Sequence, residues 1–201
     1  MHHLYTITGV SGSGKTTVAK ALFPPSQTII SYTTRKPRPG EVPNEDYYYV
    51  SEAQLNQLKP QWIEHVTFDQ HAYAFTKNEI QTKLTMAPCL MVVNAPGLDC
   101  LLQQTWLHPL LHPIFFQASL TKIKQNLMTR QDDPQHIQAR LQLCHQEWQA
   151  IQTTMHHLQQ QHIAYQIIHT DPLNAPQLIQ TVQELIQQQE PHWKSLLQKG
   201  N

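Results

Sequence analysis

The chain has 201 residues, enough to bury a core without disulfide or metal staples. Lys plus Arg is 14 and Asp plus Glu is 14, so the formal net charge is +0, which argues against a nucleic-acid or membrane-surface binder held by a basic excess. With 40% hydrophobic and only 14% charged residues, solubility leans on uncharged polar groups, glutamine above all.

Leu4 to Thr8 is short, β-branched and aromatic, and predicts a buried strand. Gly9 to Gly14 is a Gly/Ser loop, and Lys15 to Leu22 reads as a helix stopped by Pro24-Pro25. Thr28 to Tyr32 is a second strand. Thr33 to Asn44 is a loop with three prolines and three basic residues close together. Tyr47 to Val50 is a short strand, and Ser51-Glu52-Ala53-Gln54 matches a capping box that opens a small helix. Trp62 to Phe68 and Ala72 to Phe75 form a strand pair around Asp69-Gln70-His71. Thr76-Lys77-Asn78-Glu79 is another capping box, starting a helix to about Thr85.

Cys89 to Val93 is continuously apolar and suits a central parallel strand buried on both faces. Ile114-Phe115-Phe116 is a shorter strand, and Thr121 to Met128 is helical. Pro134 to about Gln161 is a long helix with proline in its first turn. Its residues Ile137, Leu141, Cys144, Trp148, Ile151, Met155 and Leu158 alternate by four and three, which predicts core packing, with a dimer seam as the alternative. Ala164 to His169 is a last strand and Pro176 to Gln189 a last helix; the stretch after Glu190 is expected to be loosely held. Strands alternating with helices predict an α/β fold built on a mainly parallel sheet.

Gly9-Val10-Ser11-Gly12-Ser13-Gly14-Lys15-Thr16 matches the phosphate loop G-x-x-x-x-G-K-[ST] at every fixed position. Glycines let successive backbone N–H groups point into one concavity, and the following helix adds its positive end. Gly9, Ser11, Gly12, Ser13, Gly14, Lys15, Thr16 and Thr17 are therefore the candidate ATP-binding set. Lys15 reaches the outer phosphates as a point charge, and Thr16 offers a hydroxyl to Mg²⁺. This motif predicts nucleoside triphosphate binding without naming the acceptor.

Two arginines three apart in a proline-stiffened loop, Arg35 and Arg38, suit a dianionic phosphate through forked, charge-assisted hydrogen bonds. The run Ser31-Tyr32-Thr33-Thr34-Arg35-Lys36-Pro37-Arg38-Pro39-Gly40-Glu41-Val42, continued by Asp46-Tyr47-Tyr48-Tyr49-Val50, resembles the guanylate kinases. The resemblance runs from about Tyr5 to Asp171 and is strongest before residue 75. It implies a P-loop fold, with an inserted acceptor lobe and a lid, that moves the γ-phosphoryl of ATP to GMP or dGMP. It also implies that Ser31, Arg35, Arg38, Tyr47 and Tyr73 bind the GMP phosphate. Glu64, in Trp62-Ile63-Glu64-His65, would accept from the guanine N1–H and 2-amino group. Lys15, Arg35, Arg130 and Arg140 would be catalytic, the last two from the lid.

Three places depart from the family pattern. Phe75 stands where a hydroxyl residue bonds guanine O6. Val92 and Asn94 stand where two aspartates sit. Gln125, Asn126 and Met128 thin out the basic residues of the lid, with Lys122 and Lys124 nearby. These departures keep two alternatives open: a kinase for another phosphorylated acceptor such as ribose 1,5-bisphosphate, and a GMP-binding module with weakened turnover.

The implied layout is a core of residues 1–32, 77–121 and 141–190, an acceptor lobe of 33–76, a lid of 122–140 and a tail of 191–201, with hinges near Thr33 and Thr129. The expected partners are ATP and GMP or dGMP with Mg²⁺, with no nucleic acid or membrane, in a monomer or homodimer. Cys89, Cys100 and Cys144 have no CxxC spacing, and no segment looks like a signal peptide or membrane span, so the expected location is cytoplasmic. The 13 histidines show no H-E-x-x-H spacing and predict no metal site.

Overall fold

A computed structural model describes residues 1–38, 40–129 and 134–198. The first strand, β1 (Leu4–Gly9), is buried along almost its whole length because it has a parallel neighbour on each side. Those neighbours are β7 (Cys89–Val92) and β8 (Leu111–Gln117), in a five-stranded parallel sheet of order β2-β7-β1-β8-β9, with β2 at Thr28–Ile29 and β9 at Gln166–His169. Leu4 points to one face of this sheet, and Tyr5 and Ile7 lie in the cluster on the other. Helices cover both faces. On the first lie α3 (Lys77–Met86), α4 (Ala95–Leu102) and the C-terminal part of α6 (Pro134–Gln160); on the second lie α1 (Lys15–Leu22) and α7 (Ala175–Gln189).

A second sheet of order β4-β3-β6-β5 is formed by β3 (Tyr32–Thr33), β4 (Tyr48–Tyr49), β5 (Trp62–Phe68) and β6 (His71–Thr76). The turn between β5 and β6 is tighter than the sequence suggests. Only Asp69 (φ 48°) and Gln70 (φ 61°) lie outside the strands, both left-handed, and His71 already pairs with Phe68. Between β4 and β5 in the chain, α2 (Glu52–Gln57) opens with the reciprocal Ser51–Gln54 capping box.

Four expectations need correction. Thr28 to Tyr32 is not one strand. Thr28 and Ile29 pair with β7 in the core sheet, whereas Tyr32 and Thr33 pair with β4 and β6, so the chain changes sheets at Ile30-Ser31. The strand at Ile114 starts earlier, at Leu111, and runs through Pro113; pairing with β9 begins only at Ile114. Thr76 accepts from the Glu79 N–H, but Glu79 turns to Lys83 at 3.1 Å instead of closing the box. The described part of the stretch after Glu190 is not loose: α8 (Trp193–Gln198) seats Trp193, 1% exposed, against Phe23, with ring centroids 5.1 Å apart, and the rest of the expected tail lies outside the described residues.

The long-helix stripe is core, as periodicity suggests. Ile137, Cys144 and Leu158 are buried and pack with α5 (Leu120–Thr129) and α4. α4 itself escapes a reading by strands and long helices. Asn94 caps it by accepting the Gly97 N–H at 2.8 Å, and Pro96 lies in its first turn.

Candidate active site

The site forms where β1 and β7 end side by side, since Ile7 pairs with Val92. Carboxyl ends of parallel strands beside a change of chain direction are where open α/β sheets bind ligands. The loop leaving β1 turns through Gly12 (φ 86°) and Gly14 (φ 98°), a region that a side chain would strain, and Gly14 caps α1. Lys15 Nζ donates to the carbonyls of Gly9 (2.6 Å) and Val10 (2.9 Å), which fold its stem back over the loop. Thr16 and Thr17 are exposed on the first turn of α1.

The phosphate-seeking arginines lie in the second sheet's loop. Arg35 is buried, 8% exposed, and its guanidinium meets Glu41 in a two-pronged ion pair at 2.9 and 2.8 Å. Its Nε donates to the Tyr73 hydroxyl at 3.2 Å, and its head lies 5.2 Å from the Tyr47 ring centroid. Glu41 also accepts from the Arg38 N–H and the Tyr49 hydroxyl, each at 2.7 Å. These donors, the Arg35 guanidinium first, hold the Glu41 carboxyl down at about 2. The same pair pushes the Arg35 guanidinium further up. Arg38 is exposed. The motif made Arg35 and Arg38 legible as candidates, but it did not reveal that Glu41 organises them.

Thr16, Ser31, Glu41, Tyr47 and Val92 line one cleft of about 440 Å³. The phosphate loop and the arginine cluster therefore border the same space. Lys20 of α1 reaches across to Asp46 at 2.7 Å. On the far side of the loop, Ser13, Thr17, Lys122, Asn126, Thr170 and Asn174 surround a second cavity of about 270 Å³.

Glu64, on β5, presses against the first turn of α4. A Cβ placed on Gly97 would sit 3.0 Å from Glu64 Oε1, 3.0 Å from Asn94 Oδ1 and only 2.6 Å from Val93 Cγ2. Gly97 is thus what lets the carboxylate approach. Burial raises the Glu64 carboxyl above its usual range. Phe75, opposite Glu64 in the ladder, is fully buried in the core. Directly opposed residues of an antiparallel ladder share a face, so Phe75 puts an apolar ring, and no hydroxyl, on the Glu64 side of the sheet.

The far wall comes from α5 and α6. Arg140 Nη1 donates to the Ser11 hydroxyl, and the Ser11 N–H donates to Glu147 at 3.1 Å. Asn126 Nδ2 donates to the Gly12 carbonyl at 2.8 Å, and Lys122 Nζ to the Leu173 carbonyl at 2.8 Å. Lys124 is exposed. Arg130 lies outside the described residues.

A family model described as guanylate kinase matches residues 1–189. The chain belongs to the guanylate kinase family. It is accordingly a nucleoside monophosphate kinase. Among its relatives, guanylate kinase from Methylococcus capsulatus is 33% identical over 149 residues, 68% of this chain and 69% of that protein. Guanylate kinase from Protochlamydia amoebophila is 29% identical over 191 residues, 89% of this chain and 88% of that protein. The crystal structure of guanylate kinase from Anaplasma phagocytophilum shares the fold with a TM-score of 0.63 at 16% identity, over 94% of this chain and 86% of that one.

Within this guanylate kinase family member, the positions singled out by sequence fall into three groups. Arg35, Tyr47 and Tyr73 touch one another. Ser31 and Thr16 share the cleft with Tyr47, and Glu64 stands apart at α4 with Asn94. Glu147 had no sequence signal, because it lies 136 residues from the loop residue it touches; Asn126, marked in the sequence only as a departure from the lid's basic pattern, meets the loop across 114 residues. Among the described residues, no helix is long and apolar enough to cross a membrane, and no group of three or more His, Cys, Asp or Glu could hold a metal.

Proposed function

We propose that this chain transfers the γ-phosphoryl group of ATP to GMP or dGMP, giving ADP and GDP or dGDP. The observation that carries the reading is the single cleft bordered by Thr16 of the phosphate loop and by Ser31, Glu41 and Tyr47 of the arginine cluster. A glycine-lined anion cradle and a guanidinium cluster then face one another, as in-line transfer between two phosphates requires.

In this reading the cradle holds the donor phosphates and the 270 Å³ cavity beside Asn174 takes the adenosine end. Lys15 exchanges its carbonyl partners for phosphate oxygens. Arg35, Arg38, Ser31, Tyr47 and Tyr73 hold the acceptor phosphate, with Arg35 kept in one orientation by Glu41. An acceptor phosphate oxygen attacks the γ-phosphorus, the bond to the β–γ bridging oxygen breaks, and its electrons leave with ADP. No covalent intermediate on the protein is needed. Arg140, with Arg130, neutralises charge spread over the transferring group. Glu64 accepts from the guanine N1–H and 2-amino group, two adjacent donors that adenine lacks.

The exposed Thr16 hydroxyl is the oxygen of the phosphate loop that suits a divalent ion. Mg²⁺ is commonly held by one or two protein oxygens plus phosphates and needs no protein cage. When bound it would offset the charge of the phosphates. Asn94 supplies an amide where the family pattern has a carboxylate, and Val92 supplies no polar atom, so the protein's own share of that charge balance falls on Lys15 and the arginines.

The enzyme's location is proposed as cytoplasmic, and its assembly as a monomer or homodimer. The test is a coupled ADP-release assay with GMP, dGMP, IMP, AMP and ribose 1,5-bisphosphate. GMP and dGMP should turn over fastest. Turnover of the sugar phosphate in their place, or GMP binding without ADP release, would overturn the assignment.

A further inference from the structure

Ser11 is gripped from two sides by one face of α6. Its N–H donates to Glu147 at 3.1 Å and its hydroxyl accepts from Arg140. Arg140, Cys144 and Glu147 follow the i, i+4, i+7 spacing that stacks side chains on one helical face. Burial pushes the Cys144 thiol up, the Glu147 charge adds to this and the Lys15 charge opposes it. Both charges therefore reach this one thiol, and the face spans the loop.

A backbone N–H in a phosphate loop serves an anion. A carboxylate reproduces both the charge and the acceptor oxygens of a phosphoryl group. The backbone N–H groups of Gly14, Lys15 and Thr16 stand at the α1 N-terminus, where inner phosphates are held, while the Lys15 side chain reaches outward. Ser11 lies ahead of them and shares Arg140, the cation assigned above to the transferring group. Its N–H thus marks the γ end of the cradle. Glu147 also lines a cavity of about 270 Å³ together with Gly9, Asn94 and Thr8. The cavity gives the Glu147 side chain room to swing off Ser11, and among the described residues the buried Thr8 hydroxyl in its wall has no hydrogen-bond partner.

We propose that Glu147 makes the phosphate loop distinguish a nucleoside triphosphate from a diphosphate: its carboxylate competes with a γ-phosphoryl oxygen for the Ser11 N–H, leaves when ATP seats, and stays when ADP seats. The effect is to weaken ATP relative to ADP at the same loop. The inference rests on reading the Lys15 loop as the donor site, and it is independent of which acceptor is used.

The test is calorimetric titration of wild type, Glu147→Gln and Glu147→Asp with Mg·ATP and Mg·ADP, with no acceptor present. Glu147→Gln should tighten ATP about tenfold, equivalent to about 1.4 kcal/mol, and leave ADP within about twofold. Glu147→Asp keeps the charge and should keep the wild-type ratio. Should the Gln variant not fold, Glu147→Ala is read against the same two nucleotides and should move the ratio the same way. An unchanged or weakened ATP affinity, equal shifts for both nucleotides, or an Asp variant that behaves like Gln would overturn the proposal. Because no acceptor is present, failure here leaves the GMP assignment standing, and absence of GMP turnover leaves this test intact.

Discussion

Replacing Glu41 by glutamine isolates the residue that organises the arginine cluster. The carboxylate takes two hydrogen bonds from Arg35 at 2.9 and 2.8 Å and one each from the Arg38 N–H and the Tyr49 hydroxyl at 2.7 Å. Glutamine keeps one acceptor oxygen, places an amide against the guanidinium and removes the charge. Arg35, only 8% exposed, is left partly unpaired. Loss of charged hydrogen bonds at a site open to the cleft costs about 2–3 kcal/mol. For a domain of this size that is a fall of about 5–10 °C in Tm.

The pH dependence gives the sharper signature. Arg35 above all holds the Glu41 carboxyl down at about 2, against a usual 4.5. A depressed folded value means the stabilisation is complete above the unfolded value and is lost as pH falls through the folded one. The wild-type margin over Glu41→Gln should be full above about pH 5 and narrow progressively toward pH 2. Thermal melts of both proteins from neutral pH into acid measure it, and the KM for GMP should rise in the variant. A margin that is flat with pH, or that widens in acid, would refute the ion-pair account of this cluster.

Three further outcomes follow from named contacts. Lys15→Ala should cut kcat by roughly 10²–10³ or more in the coupled assay, since it removes a charge from the transferring group; activity near wild type would place the chemistry elsewhere. Gly97→Ala puts a methyl 3.0 Å from Glu64 Oε1 and 2.6 Å from Val93 Cγ2, so the KM for GMP should rise about tenfold with the KM for ATP unmoved. Equal change in both constants would show that Glu64 does not face the acceptor. Trp193→Ala should cost about 3–5 kcal/mol in urea unfolding, because a residue 1% exposed leaves a cavity against Phe23; a loss below about 1 kcal/mol would mean that α8 contributes little to the core.

Local features of the chain were readable from its sequence. Gly12 and Gly14 mark left-handed turns, the apolar runs at Leu4 and Cys89 mark strands with neighbours on both sides, and Ser51-x-x-Gln54 marks a helix start, because each depends on residues within a turn or two. The motifs that carry the family resemblance are local in the same sense, which is why Arg35, Arg38, Lys15 and Thr16 could be named in advance. Other features depend on residues far apart in the chain. The break of one apparent strand into β2 and β3 depends on partners at Leu90 and Tyr48. The direction of Phe75 into the core, and the approach of Glu64 to Gly97, depend on how β5 and β6 lie on α4. Glu147 meets Ser11 across 136 residues of sequence, and Trp193 meets Phe23 where α7 packs on α1. Backbone preference and periodicity act over a few residues, so they set the elements; which side chains meet in the cleft is decided by packing between elements, which no short window of sequence contains.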